Sequence, residues 1–232
     1  MNQFLNGVAR AVCEAFEFPA PVLEIGSYQV EGQAEIANLR SLFRARPYIG
    51  IDMRPGPGVD RVADVEALPY ATGSIGTVIA LSTFEHVQRF WRGFDEIFRV
   101  LRTDGALFVS CPFSFHIHNY PSDYWRFTPE ALDLLLRGYP NRILGWHGPK
   151  KRPHNVWGVA FREARPAVTE TEFNRYRQLL RQHARQPMSL SKRLRYSTGR
   201  LFFGRRPFAP FLEQSRFETE LRTESFARAI PA

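Results

Sequence analysis

Three carboxylates stand in series along the first third of the chain, each tied to a strand-like segment: Glu24 in PVLEIG, Asp52 closing PYIGID, and Asp64 in ADVEALP. An acid at the end of such a strand accepts hydrogen bonds from both hydroxyls of a ribose. Asp52 offers that chemistry, with Met53 beside it. Asp64 and Glu66 flank Val65, so an acceptor there can take an adenine amino group while Val65 packs on the ring. Glu24 leads into Gly26-Ser27-Tyr28, where loop amides can face a carboxylate and the acid can hold the loop or meet an ammonium. A dinucleotide fingerprint needs a second glycine so that the backbone can approach a pyrophosphate. Tyr28 or its neighbours stand there instead, which argues against NAD or FAD. Any one of these acids is equally a loop cap; the series is the specific signal.

A second set of residues carries proton and contact chemistry. His86 lies in LSTFEHV, and residues 111–128 read CPFSFHIHNYPSDYWRFT. Histidine is the natural general base near neutral pH, so His86 and His118 are the catalytic candidates, although His86 is equally suited to packing at a helix start. His116, Tyr120, Asp123, Tyr124, Trp125 and Arg126 supply stacking surfaces and polar groups for a substrate wall. His116 and His118 with Asp123 make only a weak metal pattern, and no metal is expected.

The elements that must position these groups alternate. Residues 21–26, 47–52 and 77–82 are short apolar runs, and ALFVSCPF starts another. Between them, Gly32 to Phe43 carries Ile36, Leu39, Leu42 and Phe43 on one helical face, and residues 90–102 do the same with Phe94, Ile97, Phe98 and Leu101. Thr103-Asp104-Gly105 is expected to end that second helix. Strands alternating with helices give an α/β chain with a parallel sheet and right-handed crossovers. Thr128-Pro129-Glu130 opens a further helix, residues 141–147 and 154–161 read as an antiparallel pair at the sheet edge, and residues 169–185 read as a helix.

The run of motifs VLEIGS, IDM, ADVEALPY, LSTFEHV and EIFRVLRTDGALFVSCPF resembles the class I S-adenosylmethionine (SAM)-dependent methyltransferases, in their type 11-like branch, over roughly residues 20–161. The resemblance implies a Rossmann-like, seven-stranded, mostly parallel sheet with an antiparallel last strand, and SAM across its carboxyl edge. It matches Glu24 and Gly26, with Ser27 and Tyr28, to the first loop, Asp52 and Met53 to the ribose site, and Asp64, Val65 and Glu66 to the adenine site. Ser82 and Thr83 open the strand-four motif, Ser82 to His86, that lines the cofactor and substrate pocket. Tyr28 and Gln29 depart from the further glycines usual in relatives. The run HNYPSDYWRF is similar to runs in bacterial methyltransferases encoded near sugar-polymer genes, which brings sugars and glycans into the acceptor class.

With 232 residues, the chain holds one such domain (20–161), preceded by an amphipathic helix (1–19) and followed by a C-terminal extension (162–232). Cys13 and Cys111 form no disulfide framework, and no apolar run reaches membrane-spanning length, which fits a cytoplasmic protein. Charge is uneven: residues 1–149 carry 13 Lys and Arg against 16 Asp and Glu, residues 150–232 carry 18 against 7. The basic stretch 175–206 suits an anionic membrane surface or a phosphorylated carrier, and so a peripheral location. A small-molecule or glycan acceptor is the expected partner. A nucleic-acid methyltransferase is disfavoured because LSTFEH stands where an Asn/Asp-Pro-Pro-aromatic motif is expected. A non-catalytic binding protein on the same fold is disfavoured by the intact acid series.

Overall fold

A computed structural model of the chain describes residues 1–32, 34–43, 46–118, 121–184, 190–204 and 216–223. Eight strands form one sheet: β1 (Val22–Ile25), β2 (Tyr48–Asp52), β3 (Arg61–Val62), β4 (Ile75–Leu81), β5 (Leu101–Pro112), β6 (Asn141–His147), β7 (Asn155–Phe161) and β8 (Phe217–Thr223). Their spatial order is β3-β2-β1-β4-β5-β7-β6-β8. The pairs from β3 through β5 are all parallel. Strand β7 enters antiparallel between β5 and β6, and β8 lies antiparallel on the outer side of β6. Every residue of β1, β4, β6 and β7 is buried, as apolar strands covered on both faces must be.

Two apolar cores lie on the two faces. One gathers Val65, Phe84, Phe94 and Ile97 from the segments after β3 and β4 with Leu132 and Leu136 around helix α4 (Pro129–Leu135). The other gathers helix α1 (Gln3–Ala15) through Phe4, Leu5, Val8 and Val12, together with Tyr176 and Leu180 of α5 (Glu170–His183). Asn2 caps α1 by accepting from the Leu5 amide at 2.9 Å. Helix α5 starts with a reciprocal capping box between Thr169 and Glu172. The two helices touch backbone to backbone: a Cβ on Gly7 would stand 2.3 Å from the His183 carbonyl oxygen. The Trp157 indole donates to the Tyr176 hydroxyl at 2.9 Å, tying α5 to β7.

The sheet departs from the sequence reading in its count and its edge. It has eight strands rather than seven, and the additional one comes from the basic C-terminal third. In FETELRT, Phe217 and Leu221 pack on the second core while Glu218, Glu220 and Arg222 alternate with them. Two apolar residues in seven make a weak strand signal, yet β8 satisfies the outer edge of β6 and shields it from other chains. The β6–β7 pair is therefore antiparallel but not at the edge.

Two helical expectations also change. The segment expected to be helical from Gly32 to Phe43 keeps only one turn, α2 (Ala34–Ala37). The Asn38 side chain accepts from the Arg40 amide at 3.1 Å, a local bond that competes with helix propagation, while Leu39 and Phe43 stay buried. Helix α3 (Phe90–Val100) is amphipathic as expected, but Thr103-Asp104-Gly105 lies inside β5 rather than at a helix end. Arg102 spans back to Asp104 at 2.9 Å, and Leu101 already pairs with Ile75 of β4. No helix among the described residues is long and apolar enough to cross a membrane.

Candidate active site

Strand β1 is flanked by β2 on one side and β4 on the other, so the chain's crossovers diverge there and open a crevice at the carboxyl ends of the strands. A cavity of about 300 Å³ occupies that place. Its lining includes Glu24, Gly26, Ser27, Tyr28, Asp52, Met53 and Val65 on one side, and Ser82, Thr83, Glu85, His86 and His118 on the other. Eleven of the candidate residues read from the sequence thus meet around one space.

The first loop is shaped by its glycine. Gly26 sits at φ +76°, and a Cβ there would lie 2.4 Å from Thr83 Oγ1. Only glycine satisfies both the left-handed backbone and that approach. Thr83 Oγ1 in turn donates to the Ile25 carbonyl at 3.1 Å, locking the ends of β1 and β4 together. Ser27 Oγ is buried without a hydrogen-bond partner and lines the cavity, as expected of an atom that waits for a ligand. Ser82, just past β4, is the one non-glycine residue among those described with positive φ, at +54°. Such outliers collect at functional sites.

Glu24 is buried beneath this loop and accepts from the Tyr48 hydroxyl at 2.8 Å. Burial pushes its carboxyl up to about 7, with the Tyr48 bond pulling the other way. An acid raised in the fold binds its proton more tightly there than in the unfolded chain, so stability falls as pH rises from its ordinary value to about 7. Glu24→Gln removes that titration. Thermal melts should show the variant gaining on the wild-type chain between pH 4.5 and 7, by on the order of 3 kcal/mol, with a plateau above. A difference that stays flat with pH would contradict a proton shared with the fold.

Asp52 ends β2, half-buried, and accepts from the Arg54 amide at 3.0 Å. The Arg54 guanidinium lies over the Tyr28 ring at 4.6 Å, which closes this wall. Asp64 caps the 3₁₀ turn Val65–Ala67 by accepting from the Glu66 amide at 2.9 Å, and it stands next to Val65 but outside the cavity lining. Glu66 is held by Arg89 and is also outside the lining. Val65 stays, buried against Gly93 and Phe84.

On the opposite wall, the turn Phe84–His86 and the segment after β5 are joined. The amides of Tyr124 and Trp125 both donate to the Glu85 carbonyl, at 2.7 and 3.2 Å. His86 Nδ1 lies 2.5 Å from the Ser122 carbonyl oxygen; a carbonyl only accepts, so Nδ1 carries the hydrogen and Nε2 the lone pair. His118 Nδ1 lies 3.0 Å from Asp123 Oδ2, and the two imidazoles meet edge to face at 4.8 Å. Burial lowers the His86 pKa, favouring its neutral form. Asp123, whose side chain is fully buried, is clamped by Arg126, with Nη2 to Oδ2 at 2.7 Å, and that ion pair holds its carboxyl well below the usual range.

The substrate wall read from the sequence is only partly gathered. His118 lines the cavity, while His116, Asp123, Tyr124, Trp125 and Arg126 do not. Asp123 and Arg126 neutralise each other behind His118, and the Trp125 indole donates to the Val87 carbonyl at 3.0 Å. The Asp123, Arg126 and Trp125 side chains bond within the loop and its neighbours; Tyr120 lies outside the described residues. Glu85, to which sequence reasoning gives no role of its own, is 1% exposed and lines the cavity. Phe115 and Asn155 also join the lining. Glu85 stands beside His86 in LSTFEHV, but an acid in a turn reads as solvent-facing, and only the packing shows it buried.

Known proteins agree with this frame. A family model described as a methyltransferase domain matches residues 33–109. No curated protein matches the sequence. Among solved structures, a SAM-dependent methyltransferase from Archaeoglobus fulgidus is 13% identical with a TM-score of 0.54, over 68% of this chain and 93% of that one. A 1,6-didemethyltoxoflavin-N1-methyltransferase from Burkholderia thailandensis, solved with 1,6-didemethyltoxoflavin and S-adenosylhomocysteine, is 16% identical with a TM-score of 0.52, over 68% and 78%. A SAM-dependent methyltransferase from Thermotoga maritima, described as a possible histamine N-methyltransferase, is 16% identical with a TM-score of 0.50, over 69% and 89%. The chain has the class I SAM-dependent methyltransferase fold.

Proposed function

We propose that this chain is an enzyme that transfers the methyl group of SAM to an oxygen or nitrogen acceptor on a small molecule, sugar or glycan. The observation that carries the reading is the cavity at the carboxyl edge, which joins a nucleoside-type wall to a histidine-bearing wall. The residues fit the cofactor. Gly26 opens a cradle that a Cβ would fill, Ser27 offers a buried hydroxyl without a partner, and Asp52 stands where ribose hydroxyls need an acceptor. SAM supplies an electrophilic methyl group on a sulfonium. Glu24, Gly26, Ser27, Tyr28, Asp52, Met53 and Val65 would hold it, and Ser82 and Thr83 would fix the seam between the walls. His86 and His118 activate the acceptor, and Asp123 with Arg126 orients His118. Positioning of acceptor and donor supplies much of such a rate. Incubation with methyl-labelled SAM and fractionated cell extract tests the reading. One labelled small molecule or glycan is expected; label confined to nucleic acid would point to the other acceptor class.

The reading extends to how the acceptor arrives. Helix α6 (Leu190–Phe203) exposes Leu190, Leu194, Leu201 and Phe202 beside Lys192, Arg195 and Arg200. Leu190, Leu194 and Leu201 fall on one helical face, and the flanking cations suit an anionic membrane surface. Residues 185–189 and 205–206 of the basic stretch lie outside the described residues. Flotation with vesicles containing anionic lipid should carry the chain upward at low salt and release it at high salt. Absence of flotation at low salt would leave α6 a solvated helix.

A further inference from the structure

We propose that Glu85, His86 and His118 form a binding site for one divalent metal ion on the acceptor side of the cavity, and that the acceptor is a hydroxyl that the ion activates. This rests on the methyl-transfer reading above and narrows it to oxygen.

One ligand atom from each of the three side chains lies within 4.8 Å of the others, and His86 Nε2 is 3.9 Å from Glu85 Oε1. Three ligands about 2.1 Å from a common ion and on one side of it stand about 3.0–3.4 Å apart. The cluster therefore closes on an ion when its ligand atoms draw together by roughly 1–2 Å, within the reach of side-chain rotation.

The second observation is Glu85 itself. It is 1% exposed, lines the cavity, and its Oε2 has no hydrogen-bond partner. A buried carboxylate oxygen without a partner needs an explanation. A cation in the cavity provides one.

The histidines are arranged as ligands usually are. A metal-binding imidazole gives its other ring hydrogen to a carbonyl or carboxylate, which fixes the tautomer and the ring plane. His86 Nδ1 is engaged by the Ser122 carbonyl, and His118 Nδ1 lies 3.0 Å from Asp123, itself anchored by Arg126. In His86 the lone pair then falls on Nε2. Two imidazoles and one carboxylate on one side of an ion leave its other positions open, and that donor set suits first-row divalent ions. The metal pattern in the sequence, His116 and His118 with Asp123, is a different set. Asp123 stands behind His118 as its support, and His116 is outside the cavity lining.

An ion there lowers the pKa of a bound hydroxyl. The hydroxyl proton passes to water, its oxygen bonds to the methyl carbon, and the sulfur–methyl bond breaks with its electron pair left on sulfur. The products are a methyl ether and the thioether S-adenosylhomocysteine. An alcohol gains from this help at neutral pH and a neutral amine does not, so the site favours hydroxyl acceptors such as sugars.

The test uses the untagged, metal-stripped chain titrated with Co2+, followed by visible absorption and by calorimetry, with S-adenosylhomocysteine titrated in parallel. One equivalent of Co2+ should bind with ligand-field bands. Glu85→Gln and His118→Ala should lose those bands, and Asp123→Asn should weaken Co2+ by about 10–100-fold. S-adenosylhomocysteine affinity should change little in each variant, which also reports that each one folds. If Glu85→Gln does not fold, Asp123→Asn carries the comparison. Binding of S-adenosylhomocysteine with no saturable Co2+ binding, or Co2+ binding equal in all variants, overturns the metal site and spares the cofactor reading. Co2+ binding by the wild-type chain with no response to S-adenosylhomocysteine supports the metal site and overturns the cofactor reading.

Discussion

His118→Ala lowers turnover by about 10²–10⁴-fold and leaves S-adenosylhomocysteine affinity nearly unchanged. The imidazole lines the cavity on the wall opposite Glu24 and Asp52, and it is oriented by a carboxylate that Arg126 keeps ionised. Removing it takes away acceptor activation without touching the loop around Gly26. His86→Ala is the parallel case, because its ring meets His118 edge to face at 4.8 Å. Single-turnover rates with the labelled acceptor, set beside calorimetric affinities for S-adenosylhomocysteine, make the comparison. Full activity in both variants would remove both histidines from the chemistry and leave positioning alone to carry the reaction.

Gly26→Ala lowers S-adenosylhomocysteine affinity by about 100-fold, from two strains of roughly 1–3 kcal/mol each. The first is the left-handed backbone at φ +76°, and the second is the 2.4 Å approach of the new Cβ to Thr83 Oγ1. Relief of either moves the loop that carries Ser27 and Tyr28. Gly73→Ala separates the two effects. Gly73 has φ +65° with nothing within 4 Å of its added Cβ, so that variant carries the backbone strain alone, far from the cavity lining. It should melt slightly lower and bind as the wild-type chain does. Equal affinities for Gly26→Ala and wild type would show that the cradle does not depend on this turn.

Much of the cavity wall around Glu24, Gly26 and Asp52 is legible in the sequence because each piece has a local cause. Buried parallel strands must be apolar runs, their ends must carry turn residues, and so Glu24, Gly26 and Asp52 announce themselves by position. Asp64 has a local cause as well: an acid ahead of a short turn is the best cap for it, and its side chain accepts from the Glu66 amide. The histidine-bearing wall is less legible, because pairing across the loop decides which polar groups face the cavity. Nothing in the order of SDYWRF tells that Asp123 and Arg126 neutralise each other behind His118. Glu85 becomes visible only when the turn after β4 meets the loop after β5. Strand β8 escapes for a third reason: its partner β6 lies about 75 residues upstream, and edge strands carry little apolar signal.

The central claim is tested most directly by calorimetry of the full chain with S-adenosylhomocysteine and, separately, with NAD. The account predicts saturable one-to-one binding of S-adenosylhomocysteine, no binding of NAD, and a loss of about 1–3 kcal/mol for S-adenosylhomocysteine in Asp52→Ala, the cost of missing charge-assisted hydrogen bonds. Saturable NAD binding with no response to S-adenosylhomocysteine would contradict it.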